Sequence, residues 1–258
     1  MMDAIIDRTL SAQTVRKNHI SVSQHRQDRD HQLQKKYDIK FTSFENVCRH
    51  SQILFLGVKP QQMAEVLNQI QPHYKDQVIW TMAAGLELAF YKKYLGKNCK
   101  ILRLLPNTPI RLGLGVTAFC ASANVNQNEK NIFTDSFQST GLVTEVASEA
   151  HLHSIVALSA SGPAFVFAFI QSLASAGQKL GLPQTLANQL ALQTALGAAT
   201  LLAESNLTIP EQIQKVASRK GTTEAGLKTL KEKKFSSIVL ACLQSAKRRS
   251  KELASAMK

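Results

Sequence analysis

Several things are scarce in this 258-residue chain, and each scarcity removes a class of answer. With only 7 prolines and 12 glycines, no long biased tract and no repeat at a solenoid period, it is neither an extended disordered chain nor a repeat array. Its 44% hydrophobic content is enough to fill one large core or two ordinary ones. The 4 cysteines, Cys48, Cys99, Cys120 and Cys242, lie far apart, which argues against a disulfide framework or a zinc site and fits a reducing cytoplasm. The 7 histidines form no H-E-x-x-H pattern, so no metal is expected. The opening "MMDAIIDRTLSAQ" is interrupted by Asp3, Asp7 and Arg8 and has no apolar core of signal-peptide length. The longest greasy stretch, Pro163 to Ile170, is broken at Gln171 and Ser172, which reads as too short for a bilayer. The expectation is a cytoplasmic protein with no membrane partner.

Acid is scarce too: 18 carboxylate side chains face 31 lysines and arginines, a net charge of +13. Much of the excess lies at Lys228, Lys231, Lys233 and Lys234, then at Lys247, Arg248, Arg249 and Lys251, spacings that read as solvated helix faces. With a single tryptophan and no basic strand interleaved with aromatics, there is no platform for stacking bases, and no nucleic-acid partner is expected. A basic surface also attracts small anions, which suits a phosphorylated cofactor and an anionic substrate.

What is present changes character once along the chain. Up to about Ala147, β-branched runs alternate with amphipathic segments: "HISVS" (19–23), a polar helix near 28–37, "QILFLGV" (52–58), a helix over 61–70, "QVIWTMAA" (77–84), a helix near 86–95 and "CKILRLL" (99–105). "LGVTAFCA" (114–121) and "LVTEVA" (142–147), with a helix between them, add two strands. This alternation predicts a parallel α/β sheet over residues 1–148. From Glu149 onward only helical patterns occur, broken at Gly181-Leu182-Pro183, Ile209-Pro210 and Lys220-Gly221, so residues 149–258 read as an all-α domain.

Ligands of open α/β sheets gather at the C-terminal strand ends. The first strand runs into Ser23, His25 and Arg26, where a hydroxyl and an arginine suit the 2′-phosphate of NADP better than the acidic ribose ligand of an NAD site. Later strands end in Val58-Lys59-Pro60, in Ala83-Ala84-Gly85 and in Pro106-Asn107-Thr108-Pro109. Gly85 permits close backbone approach, and the two prolines stiffen the turn that aims Asn107. The stretch "SASGPAFVFAFI" (159–170) places two serines and Gly162-Pro163 at the mouth of a greasy segment. Taken alone it reads as a helix start with Ser161 as N-cap, whose free N–H groups could also receive a small carboxylate.

Five segments taken in order resemble the pyrroline-5-carboxylate reductase family: "FLGVKPQ", "LLPNTP", "ALSASGPAFVF", "AGQKLGLP" and "GTTEAGL". The resemblance covers essentially the whole chain. It implies a Rossmann-like N-terminal domain for NADPH, with NADH possible, and an all-helical C-terminal domain that binds substrate and interlocks with its twin in a homodimer, extending to larger rings. The implied reaction is hydride transfer to the C=N carbon of 1-pyrroline-5-carboxylate, giving L-proline. Carried over by position, Thr223 and Ser161 are the catalytic residues, while Ser159, Gly162, Pro163, Ser218, Gly221 and Thr222 bind substrate. Ser23, His25, Arg26, Val58, Lys59, Pro60, Ala83, Ala84, Gly85 and Asn107 form the implied cofactor set.

The chain departs from the family pattern in three places. "MMDAII" aligns with the family's MAEAII, so the sequence opens at the last Met of a GxGNM loop, and no G-x-G-x-x-G occurs. The expectation is a Rossmann-like domain lacking its first strand and pyrophosphate loop, which leaves two options: a truncated gene product, or a cofactor-impaired paralogue with a dimerising or regulatory role. In "ASRKGTT" (217–223), Arg219 and Lys220 replace a proline and a glycine, strain or extra anion binding being the consequence. A related imine or hydroxyacid reductase is the further alternative. His153 stands where the family carries an acid.

Overall fold

The computed structural model describes residues 1–23 and 35–256. It divides into two compact units, one formed by Met1–Ser161 together with the chain from Ala246 to the C-terminus, the other by Gly162–Ser245. The sequence reading drew its boundary earlier, at 148/149. The predicted helix near 28–37 falls largely outside the described residues.

The first unit is built on a five-stranded sheet of order β3-β4-β5-β6-β7, comprising Ile53–Leu56, Val78–Thr81, Lys100–Pro106, Gly115–Ala121 and Gly141–Glu145. Two short strands, β1 (Ser21–Val22) and β2 (Lys40–Phe41), pair in parallel as a separate sheet. Side chains alternate across a strand, and the alternation sorts them between two cores. Leu54, Leu56, Ile79 and Ile101 face one layer, where the helix Met63–Ile70 presents Met63, Val66, Leu67 and Ile70 at helical spacing, all 4% exposed or less. Val78, Trp80, Leu102 and Leu104 face the opposite layer, packed with Ala4 and Ile5 of the helix Met2–Ser11 and Phe133 and Phe137 of the helix Gln127–Phe137. Trp80, Phe119, Phe133 and Phe137 meet edge to face or tilted, at centroid distances from 4.6 to 5.8 Å.

The sheet is not wholly parallel. β3, β4 and β5 run together, but β6 is antiparallel to β5. The connection from Asn107 to Leu114 is a single 3-10 turn, Thr108–Leu112, closed by Gly113 at φ 73°, too short for the crossover that parallel pairing needs. Behind it, Gly115 pairs with Gly141, and a Cβ on Gly141 would lie 2.2 Å from the Gly115 carbonyl oxygen. Only glycine permits that approach.

A further departure concerns the predicted helix start at Ser161. The helical run is continuous through that point: Leu152–Ile155 passes into a π-turn, Val156–Ala160, and then into the helix Gly162–Lys179. Ser161 has right-handed helical backbone angles rather than an extended N-cap conformation, and its N–H donates to the Val156 carbonyl at 2.9 Å. Neither Gln171 nor Ser172 ends the run; from Glu149 to Lys179 it covers 31 residues and contains an 18-residue window of mean hydropathy 1.6, long and apolar enough to cross a membrane.

In the second unit, Gly162–Lys179 packs against Gln184–Ala203 through small residues, a Cβ on Gly177 lying 3.3 Å from that of Ala187. The turn between them uses Gly181 at φ 97°. Three more helices follow, Ile209–Val216, Thr222–Glu232 and Phe235–Ser255, the first opened by a capping box between Thr208 and Glu211. Little is buried within this unit: Phe167, Leu192, Leu196, Ile238 and Leu240 are each more than half exposed.

Candidate active site

Because β3, β4 and β5 are parallel, their C-terminal ends open on one edge of the sheet. Gly57, Val58, Lys59 and Pro60 follow β3; Ala83, Ala84 and Gly85 follow β4; Asn107 follows β5. Gly85 has φ 82°, a left-handed angle open to glycine at no steric cost. Small residues and exposed main chain let a flat ring approach this edge closely, so the residues present fit the nicotinamide end of a dinucleotide. Ser23 lies just past β1 in the separate two-stranded sheet. His25 and Arg26 fall outside the described residues.

Asn107 is buried and its side chain is fully engaged. The Val116 N–H donates to its Oδ1 at 2.8 Å, and its Nδ2 donates to the Ser159 carbonyl at 3.2 Å and faces Ser159 Oγ at 3.3 Å. Ser159 and Ser161 are themselves half-buried on the π-turn segment. A π-turn inside a helix is a common mark of a functional position, since the inserted residue rotates neighbouring side chains off the regular face.

Beneath the edge lies a buried polar group that sequence reasoning missed. Arg103 on β5, 3% exposed, pairs with Glu149 at 2.7 Å, and the same carboxylate oxygen accepts the Leu88 N–H at 2.8 Å. Beside them, Tyr91 and Thr81 share a 2.7 Å hydrogen bond, and burial pushes the Tyr91 phenol up to about 12. His153 is buried as well, with Nδ1 2.9 Å from Ser250 Oγ on the last helix. Burial, reinforced by the Arg103 charge, holds its imidazole below the usual histidine value. The sequence signals for this cluster were an arginine in an otherwise apolar strand and His153 at a position where the family carries an acid.

The remaining residues of interest belong to the second unit. Gly221 is the N-cap of the helix Thr222–Glu232, in extended conformation, and donates its N–H to the Ser218 carbonyl at 3.0 Å. A Cβ on Gly221 would lie 2.3 Å from Ser218 Oγ and 3.0 Å from the Ser218 carbonyl oxygen, so a larger residue there would have to displace the Ser218 side chain. Thr222 and Thr223 occupy the first turn, where backbone N–H groups lack intrahelical acceptors. Lys220 takes φ 58°, the left-handed region that disfavours a side chain, and its N–H is held by Glu224 Oε2 at 2.5 Å. Among the described residues no group of three or more His, Cys, Asp or Glu side chains is arranged to hold a metal ion.

A mixed α/β unit joined to a helical unit is an architecture of NAD(P)-dependent oxidoreductases, and comparison with known proteins places the chain in that class. Residues 1–85 match the family model described as NADP oxidoreductase, coenzyme F420-dependent, and residues 149–253 match pyrroline-5-carboxylate reductase dimerisation. Pyrroline-5-carboxylate reductase 2 of Bacillus subtilis is 31% identical over 98% of this chain and 91% of its own, and the Pseudomonas aeruginosa enzyme is 36% identical over 78% of this chain and 74% of its own. The solved reductase from Coxiella burnetii superposes with a TM-score of 0.93 at 30% identity, over 98% of this chain and 94% of that one. A Plasmodium falciparum pyrroline carboxylate reductase with NADP bound gives 0.81 at 28% identity, over 98% and 94%. The chain belongs to the pyrroline-5-carboxylate reductase family.

Proposed function

We propose that the protein reduces 1-pyrroline-5-carboxylate to L-proline with NADPH, as a homodimer in the cytoplasm. The observation that carries this reading is near full-length agreement with a solved pyrroline-5-carboxylate reductase, at a TM-score of 0.93. NADPH, when bound, would supply the hydride for the C=N carbon, and a proton from solvent would complete the ring nitrogen as the amine. The protein's task is to orient the imine and hold its carboxylate. Thr223 is assigned to the ring nitrogen through its hydroxyl. The first-turn N–H groups at Thr222 and Thr223, beside Gly221 in the turn closed by Ser218, are assigned to the carboxylate, which suits the electropositive start of a helix. Ser161 is assigned as the second catalytic hydroxyl, with Ser159, Gly162 and Pro163 lining the substrate.

Val58, Lys59, Pro60, Ala83, Ala84 and Gly85 are assigned to the cofactor from their place at the strand edge, which Asn107 borders at the end of β5. The preference for NADPH over NADH rests on Ser23, His25 and Arg26 in the sequence. Dimerisation rather than a bilayer is assigned to the apolar helix, because the matched dimerisation region contains the whole of Gly162–Lys179.

The test is to supply pyrroline-5-carboxylate and each reduced cofactor in turn, and to identify the product. NADPH oxidation coupled to L-proline formation is expected, with Arg26→Ala weakening NADPH about tenfold and leaving NADH unchanged. No proline formed with either cofactor would overturn the assignment. NADH binding as tight as NADPH, indifferent to Arg26→Ala, would overturn the cofactor preference alone.

A further inference from the structure

The π-turn contains a main-chain acceptor that the helix itself cannot satisfy in the regular way. In an α-helix the carbonyl of residue 159 is taken by the N–H of residue 163. Here that residue is Pro163, which has no N–H. The donor comes instead from the sheet: Asn107 Nδ2 reaches the Ser159 carbonyl at 3.2 Å. The amide cannot be turned over. Its Oδ1 accepts the Val116 N–H, which can only donate, and the Ser159 carbonyl can only accept, so chemistry dictates which end faces which. The Asn107 backbone is fixed as well, its N–H donating to the Val116 carbonyl at 3.1 Å and its carbonyl accepting from the Ile110 N–H. The anchor is therefore rigid: a buried amide on a stiff Pro-Asn-Thr-Pro turn, bridging strand β6 and the π-turn.

We propose that Asn107 is a positioning residue, whose side-chain amide pins the π-turn carrying Ser159 and Ser161 to the C-terminal edge of the sheet and so sets how these hydroxyls face the reduced cofactor. This rests on the assignment of the Ser159–Ser161 segment to the substrate. It replaces direct cofactor binding as the role of the Asn107 side chain, since both ends of the amide are already occupied. A side chain acting this way affects the imine and leaves the nucleotide alone, and that difference is measurable.

The test uses the full chain with Asn107→Asp, which has the same shape. The carboxylate still accepts from Val116, but it turns an oxygen toward the Ser159 carbonyl where a donor stood. The expected result is a fall of about tenfold in kcat/KM for pyrroline-5-carboxylate with the Kd for NADPH, measured without substrate, unchanged within about twofold. Amide hydrogen exchange across residues 156–162 is expected to quicken. Should Asn107→Asp not fold, Asn107→Ala serves with the same three measurements and the same directions. Weaker NADPH binding with normal exchange in the π-turn would return Asn107 to the cofactor, and unaltered kinetics and exchange would overturn the proposal outright. If the unsubstituted protein does not reduce pyrroline-5-carboxylate, the functional reading fails, and the pinning is then decided by exchange alone.

Discussion

In the role proposed for Thr223, the demand on the residue is small and specific. The ring nitrogen gains a proton as the carbon gains hydride, and one oriented hydroxyl at a helix start is suited to that nitrogen. A neutral hydrogen bond is worth about 0.5–1.5 kcal/mol net, more when the partner is charged. Thr223→Ala is therefore expected to slow reduction about tenfold or more while leaving NADPH affinity and the dimer intact. Thr222→Ala should cost less, because the substitution keeps the backbone N–H. Equal turnover in Thr223→Ala would remove that residue from the reaction. Nearby, Lys220 carries its own cost: a side chain at φ 58° is held there by the Glu224 carboxylate. Lys220→Gly keeps that backbone hydrogen bond and removes the steric penalty. It is expected to raise stability by about 1 kcal/mol, less whatever the freer unfolded glycine takes back. A denaturant midpoint that falls would show that the lysine side chain contributes more than it strains.

At the scale of elements, the end of the last helix is joined to the sheet layer through His153 and Ser250. The charged groups acting on the imidazole are Arg103, Glu87, Lys251 and Glu149, and burial with Arg103 outweighs the acids. The sign follows from the depressed pKa. The unfolded chain takes up this proton near pH 6.5, while the folded protein resists it to lower pH. The folded state therefore benefits fully above about pH 6.5 and loses that benefit as pH falls below it, down to the folded value. Stability measured from pH 7.5 to 5 should drop more steeply in the native protein than in His153→Asn, which keeps a polar group near Ser250 but does not titrate. Parallel curves for the two proteins would show that protonation occurs without opposition. The Arg103–Glu149 pair sits in the same cluster, where Glu149 also receives the Leu88 N–H at the start of the helix Leu88–Leu95. Removing one partner of such a pair strands the other charge, which is why the cluster holds together as a unit.

For the whole molecule, the second unit carries the main consequence. Ala174, Ala187, Ala191 and Gln212 are the only buried side chains among its described residues, while long apolar side chains are exposed on all five of its helices. An apolar surface of that extent is stable in water when another chain covers it. The protein is expected to sediment as a dimer or larger at micromolar concentration, and Ile238→Asp, which puts a charge on this surface, is expected to shift it toward monomer. A monodisperse native monomer would sink this expectation.

Much of this protein was legible in its sequence. Short β-branched runs such as "QVIWTMAA" marked the strands, and breaks at Gly181, Ile209-Pro210 and Lys220-Gly221 separated the helices, because side-chain shape and backbone sterics are local properties. The family was legible too, from motifs in order. The helix Met2–Ser11 and strand β2 were missed, one offering only Ala4, Ile5 and Thr9 as buried residues and the other only two residues long. What tertiary structure alone decided was direction and partnership. β6 is antiparallel because its connection is too short to cross the sheet, and Ser161 continues a helix rather than starting one because the π-turn before it supplies a carbonyl, that of Val156, for its N–H. Arg103 is buried against Glu149, and Asn107 reaches a carbonyl 52 residues away. Hydrogen bonds between distant segments depend on where the sheet and helices bring their backbones, and no local pattern of residue types encodes that distance.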